Sequence, residues 1–370
     1  MKVKRIQDID KNFANSEIHE NNAVYMDAFE EPLGIFGLPL HEKEKTYCRL
    51  PQSLLKSFSE SVQCLAWHTA GGKVRFATDS PFVSVRAEII SGGDMSHMPR
   101  SGSSGFDIYT GSKGNKRYLA SIMPEHGITS YEGIVYARNK GFQEWTINFP
   151  LYNGVKQLLI GLAEHSMLDR APEYSIQKPV VFYGSSITQG GCASRPGNSY
   201  PNIISRWLDA DICNLGFSGN AKGEPEMANY IAGLDMSAFV MDYDHNAPDA
   251  GFLAETHEPF FRIIREARPC LPVIIISKPD FDNGIEINKK RREVIYSTYK
   301  KAVDSGDNYV YFIDGETLFG RENRDSCTVD GCHPNDLGFM RMAEVIYPVI
   351  KRALCKPEEK PYSIKQNNIN

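Results

Sequence analysis

The chain of 370 residues has no basic surplus: 41 Lys and Arg face 46 Asp and Glu, a formal net charge of −5. A nucleic-acid groove must neutralise phosphates, so this balance argues against such a partner. No run of like charges is long enough to form a polyanion-binding tail. No apolar window approaches the roughly 20 residues that cross a bilayer. No apolar stretch follows the basic start MKVKR either, so the reading expects no secretory leader, no membrane contact and a cytoplasmic protein. The cysteines, at positions 48, 64, 192, 213, 270, 327, 332 and 355, include no CxxC pair. That scatter predicts reduced, mostly buried thiols and no metal site built from them.

Two different rhythms are present. The length makes two domains the default, and 41% apolar with 24% charged residues describes a globular protein. From about residue 30 to 165 the apolar residues alternate, as in Val74 and Phe76, in Phe82 to Val85, and in Trp145, Ile147 and Phe149. Period-2 segments between Gly, Pro, Ser and Asp clusters predict an all-β sandwich, assigned to residues 1–173. The loop Ser91 to Gly105 is long and rich in Ser and Gly. Nothing in this half has catalytic spacing, and it reads as a structural or substrate-shaping module.

Residues 174–370 alternate strand-length apolar runs with helical periods. Strands are expected at 180–183, 212–215, 238–241, 273–276 and 309–313, and helices near 200–208, 224–231, 255–267, 287–303 and 337–354. The last helix carries a stripe of Leu337, Met340, Ala343, Ile346 and Ile350. Such alternation predicts an α/β domain with a parallel sheet covered on both faces, its ligands held at the carboxyl ends of the strands.

The residues after each strand are therefore the ones to read. Gly184-Ser185-Ser186-Ile187-Thr188-Gln189-Gly190 follows the first. It is no GxGxxG, lacks the GK[ST] of a phosphate loop, and has Thr188 where GxSxG needs glycine. Such a turn suits either one serine as nucleophile or both as caps. Gly216 to Asn220 follows the second strand, where a glycine N–H can approach a ligand oxygen. Asp242-Tyr243-Asp244-His245-Asn246 follows the third. It is no calcium loop, because Leu253 stands where a bidentate Glu belongs, and it reads as a polar cap or, less well, as a magnesium-dependent phosphatase centred on Asp242. Asp330 and His333, three apart in one loop, can pair so that the carboxylate orients the imidazole. In a parallel sheet all four stretches converge on one edge.

Together these residues resemble the SGNH, or GDSL-like, esterase and lipase superfamily over residues 178 to 354. Gly184–Gly190 reproduces its Gly-Asp-Ser-hydrophobic-Thr-x-Gly block with Ser185 in the Asp place, which implies Ser186 as nucleophile. Its glycine block falls on Gly219 and its Asp-x-x-His block on Asp330 and His333. Its Gly-x-Asn-Asp block matches only in Asn246, with Asp244 and Ala247 replacing the Gly and the final Asp. The resemblance implies a three-layer α/β/α domain with a five-stranded parallel sheet, behind a jelly-roll-like sandwich. It implies a Ser186–His333–Asp330 triad and an oxyanion hole from Ser186, Gly219 and Asn246, with no metal or organic cofactor.

Two-domain members of this kind include carbohydrate acetyl esterases. That implies a short-chain ester, acetyl on an oligosaccharide, as substrate. A lipase or thioesterase, or a non-catalytic carbohydrate-binding protein, is the alternative. Arg195, in the loop Gly191 to Pro201, is a candidate for a sugar hydroxyl or an acidic group, unless that loop only starts a helix. Asp244 and His245 are further substrate-side candidates, and a negative Asp244 near the oxyanion would need neutralising by His245 or a nearby arginine. Ser185 is expected to alter loop hydrogen bonding and not the chemistry.

Overall fold

The computed structural model describes residues 9–10, 22–39 and 41–355. Two antiparallel sheets make the first half. One runs in the order β1 (Ala23–Asp27), β9 (Val155–Ala163), β4 (Phe82–Ile89), β7 (Ser130–Tyr136). The other runs β10 (Leu168–Asp169), β3 (Lys73–Thr78), β8 (Gln143–Asn148), β5 (Phe106–Thr110), β6 (Arg117–Ile122), with β2 (Gly34–Phe36) also paired to β3. The alternating apolar residues supply the core between them. Val74 pairs with Ile147 and Phe76 with Trp145, and both pairs pack against Val83, Val85, Leu158 and Ile160 of the facing sheet.

The outer face of β3 is not in water. Lys73 and Arg75 are each only 2% exposed. Alternation normally leaves one face wet, but here that face packs against the second half of the chain. Lys73 Nζ donates to Ser205 Oγ at 2.9 Å, and the buried Asp107 of β5 accepts from Gly197 N at 2.8 Å. Contact also runs the other way. Cys48, Leu50, Phe58, Val62 and Ala66, before β3, join the core on one face of the parallel sheet.

That sheet runs β12 (Ala210–Gly216), β11 (Ile176–Gly184), β13 (Ala238–Asp242), β14 (Val273–Ile276), β15 (Val310–Ile313), all parallel. The continuous apolar runs split by parity. Val181 and Tyr183 enter one core, and Val180 and Phe182 enter the other. Helices Pro225–Gly233, Ala250–Ala267 and Ile285–Asp304 cover the first face. Helices Tyr200–Leu208 and Asp336–Leu354 cover the second. The expected order of strands and helices is thus present, as an α/β domain with antiparallel sheets before it.

The buried face of the last helix is rotated from the expected stripe. Leu337 and Met340 are 43% and 40% exposed, while Phe339, Met342, Ala343, Ile346, Ile350 and Ala353 are buried. A helix drifts against a fixed seven-residue spacing, and the aromatic Phe339 sets the start of the true face. All eight cysteines are free, with Cys48, Cys192, Cys213 and Cys327 buried. Among the described residues no helix is long and apolar enough to cross a membrane.

Candidate active site

The end of β11 is built to present Ser186. At Gly184 an added Cβ would lie 2.0 Å from Thr188 Oγ1 and 2.5 Å from the Asp242 carbonyl oxygen, so only glycine lets the turn close this tightly. Ser185 caps the short helix Ser186–Gln189, its Oγ accepting from Ile187 N at 3.1 Å. Ser and Asp serve about equally as such caps, which gives Ser185 in the Asp place a structural reason. Thr188 Oγ1 donates to Asp242 Oδ2 at 3.0 Å. Gln189 Oε1 accepts from Ser218 N at 3.1 Å, while its Nε2 donates to the Leu151 carbonyl at 3.0 Å. The turn is therefore tied to β13, to the loop after β12 and to the sandwich.

Ser186 Oγ lies 2.9 Å from His333 Nε2. His333 Nδ1 lies 2.8 Å from Asp330 Oδ2, and Asp330 Oδ1 accepts from His333 N at 2.7 Å and Cys332 N at 3.0 Å. Burial would raise the Asp330 pKa, but the bonds from His333 and the two backbone N–H groups hold it down at about 2. His333 is pushed up to about 9 by the Cys332 sulfur, against burial and with help from Asp330. Asn335 fixes the loop by capping the last helix, accepting from Leu337 N at 3.0 Å and Gly338 N at 3.1 Å.

Gly219 has φ +69 with open space where a Cβ would stand, so its left-handed backbone, not crowding, requires glycine. Asn246 Nδ2 donates to the Phe217 carbonyl at 2.9 Å, which leaves its second N–H unused by that bond. Arg49, fully buried, braces this loop from the N-terminal half. Its Nη1 donates to the carbonyls of Asn214 at 2.9 Å and Gly216 at 2.7 Å, and its guanidinium lies over the Phe217 ring.

Three expected contributors stand elsewhere. Asp244, expected on the substrate side, is turned into the protein interior. It is 1% exposed, bonded through Oδ1 to Arg291 Nε at 2.9 Å and through Oδ2 to Lys278 N at 2.9 Å. Arg291 thus supplies the neutralising cation, and the charge points away from the cleft. Arg195 turns to the sandwich, where Nη1 meets Asp107 Oδ2 at 3.0 Å and Tyr109 OH. Its guanidinium also lies 4.0 Å from the Tyr118 ring. The Asp107 carboxylate, buried on the sandwich face, is the anion that pairs with that cation. Asp242 is 4% exposed, and its Oδ2, accepting from Thr188 and from Tyr200 OH at 2.8 Å, serves to tether the turn after β11.

His245 sits between Asp280 and Cys332, with Nε2 2.9 Å from Cys332 Sγ and Nδ1 3.3 Å from Asp280 Oδ1. His245, Asp280 and Cys332 bring donor atoms within 4.8 Å of one another, as do Asp330, Cys332 and His333. The Lys278 ammonium, 3.3 Å from Asp280, already provides the cation in the first group. In the second, Asp330 and His333 spend their donor atoms on each other and on Ser186.

Sequence reading missed the reach of the sandwich into this site. Tyr152 OH donates to the Ser186 carbonyl at 3.2 Å, and a Cβ on Gly191 would meet both Tyr152 OH and His333. Burial raises the Tyr152 pKa, so it acts as a neutral donor. No local motif marks Tyr152 or Arg49. Both act through contacts across the domain junction.

A serine–imidazole–carboxylate line at the carboxyl edge of a parallel sheet is the geometry of acyl transfer, and the family match supplies the class: a carboxylic ester hydrolase of the GDSL type. Residues 177–351 match the GDSL-like Lipase/Acylhydrolase family, and residues 23–168 match the N-terminal domain described as the N-terminus of Esterase_SGNH_hydro-type. The chain belongs to this GDSL-like, SGNH-type esterase family.

A GDSL-like lipase candidate from Bacteroides ovatus is similar in structure at TM-score 0.81 and 28% identity, over 90% of this chain and 98% of that one. A salicylyl-acyltransferase from a tetracycline biosynthetic pathway matches at TM-score 0.74 and 18% identity, over 90% and 98%. An acetyl xylan esterase from the rumen bacterium Butyrivibrio proteoclasticus matches at TM-score 0.58 and 13% identity, over 90% and 99%. The last two likenesses concern the fold. No curated protein sequence matches the chain.

Proposed function

We propose that the chain is a serine esterase that removes acetyl groups from a carbohydrate. The observation that carries this reading is the unbroken line from Ser186 Oγ through His333, 2.9 Å away, to Asp330 at 2.8 Å. His333 Nε2 takes the Ser186 proton as Oγ attacks the ester carbonyl. Asp330, ionised at any working pH, steadies the imidazolium. The oxyanion is met by the N–H groups of Ser186 and Gly219 and by the spare N–H of Asn246 Nδ2. His333 then protonates the leaving sugar oxygen, and water, deprotonated by the same nitrogen, releases acetate and restores Ser186. Base, nucleophile and donors are all groups of this chain, so no step calls for a cofactor. A sugar ester is supported by the likeness to an acetyl xylan esterase and by the lack of a broad apolar run beside the site loops.

The test is acetate release from a panel of acetylated oligosaccharides, followed by mass spectrometry. Ser186→Ala and His333→Ala should lose it while remaining folded. Asn246→Ala should lower kcat by roughly two to three orders of magnitude, the usual cost of one oxyanion donor. Full acetate release by Ser186→Ala, with loss in Ser185→Ala, would move the nucleophile by one residue.

A further inference from the structure

A second carboxylate, imidazole and nucleophilic atom lie beside the first set: Asp280, His245 and Cys332, with Asp280 held to His245 by an ion-pair contact and not by a hydrogen bond. His245 Nε2 is 2.9 Å from the Cys332 sulfur, and its Nδ1 faces Asp280 Oδ1 at 3.3 Å. The Asp280 side chain is 4% exposed and that of His245 is 16%. Cys332 itself is partly exposed, so a small reagent can reach a sulfur whose base is shielded. This is the arrangement by which an imidazole takes a thiol proton and holds the thiolate. The neighbouring residue is His333, the base of the serine centre.

We propose that Cys332 is a site of covalent modification, a thiolate activated by the His245–Asp280 pair, whose capping by a peroxide or an alkylating electrophile silences the serine centre beside it. With a peroxide, the thiolate sulfur forms an S–O bond as the O–O bond breaks. Sulfur loses two electrons, hydroxide leaves, and a sulfenic acid remains that two equivalents of an added thiol reduce back. The groups facing the sulfur are His245, His333, Asp330, Cys192 and Tyr152, with Asp280 and Lys278 behind His245. Burial opposes the Cys332 thiolate, but His245 and His333 outweigh it and bring its pKa down to about 7. Cys192 is pushed the other way, to about 11, by burial and by the charges of Asp330 and Cys332.

The silencing half rests on the Ser186 reading, and the reactivity half does not. The test treats the full chain with iodoacetamide, maps labelled peptides by mass, and follows p-nitrophenyl acetate hydrolysis in parallel. At pH 7, Cys332 should label severalfold faster than the exposed Cys64 and Cys270, its larger thiolate fraction outweighing the lower nucleophilicity that comes with a lower pKa. Its rate should be half-maximal near pH 7, and His245→Gln should move that point towards about 8.5, the value of a free thiol. Hydrolysis should fall in step with labelling. Hydrogen peroxide should inactivate reversibly with dithiothreitol, and Cys332→Ala, or Cys332→Ser if the alanine variant does not fold, should still hydrolyse the ester, with its pH midpoint moved down, and its own starting rate should be insensitive to both reagents.

Labelling of Cys332 no faster than Cys64 overturns the proposal. So does undiminished hydrolysis by fully labelled protein, or equal peroxide sensitivity in the Cys332 variant. If no ester is hydrolysed at all, the esterase reading fails, while the labelling rates still decide whether Cys332 is activated.

Discussion

His333 can accept the Ser186 proton only when its imidazole is neutral. The Cys332 sulfur and Asp330 raise its pKa to about 9, so below that pH the free enzyme holds an imidazolium. kcat/KM, which reports the free enzyme, should therefore rise with pH and level off above about 9. In Cys332→Ala the largest raising influence is gone, and the midpoint should shift to lower pH. A wild-type midpoint near 6.5, the ordinary histidine value, would contradict this account. The Asp330–His333 pair was legible because its members are three residues apart in one loop, and Ser186 because the turn around it is local. The role of Cys332 was not. Its partner His245 is 87 residues away, and no spacing rule links them.

At the scale of elements, the turn after β13 shows how a departure from a family pattern is absorbed. Asp244 stands where the family has glycine, and Arg291, from the helix Ile285–Asp304, meets it across a contact with side chains 0% and 6% exposed. A buried charge left alone is far costlier than the pair is stabilising. Arg291→Met should cost about 3–5 kcal/mol in urea unfolding, while Ser186 chemistry in the folded fraction persists. A loss below about 1 kcal/mol, the scale of an exposed pair, would mean the pair is solvated. The sequence raised the question of Asp244 but could not choose its partner, because arginines lie on several elements and only packing selects one.

The whole molecule is two folds sharing one interior. Leu50, Phe58 and Val62 fill the core of the parallel sheet, Arg49 clasps the loop that carries Gly219, and Lys73 and Arg75 are buried at the junction. The intact chain should therefore unfold in a single transition. A chain beginning at residue 174 loses those core side chains and uncovers the surface facing β3, β5 and β8. It should show no cooperative urea transition by near-ultraviolet circular dichroism. A sharp transition in the truncated chain would show that the second half folds alone.

The sequence by itself determined the order of strands and helices, the turn that carries Ser186, and the pairing of Asp330 with His333. These depend on periodicity and on contacts within a few residues, which a linear chain carries. Tertiary structure alone decided that Ser186 and His333, 147 residues apart, meet at 2.9 Å, that Arg195 serves the junction, and that Asp244 turns inward. Periodicity states which face of an element is apolar. It does not state what will cover the other face, and at this junction that cover decides which polar side chains remain free for a substrate.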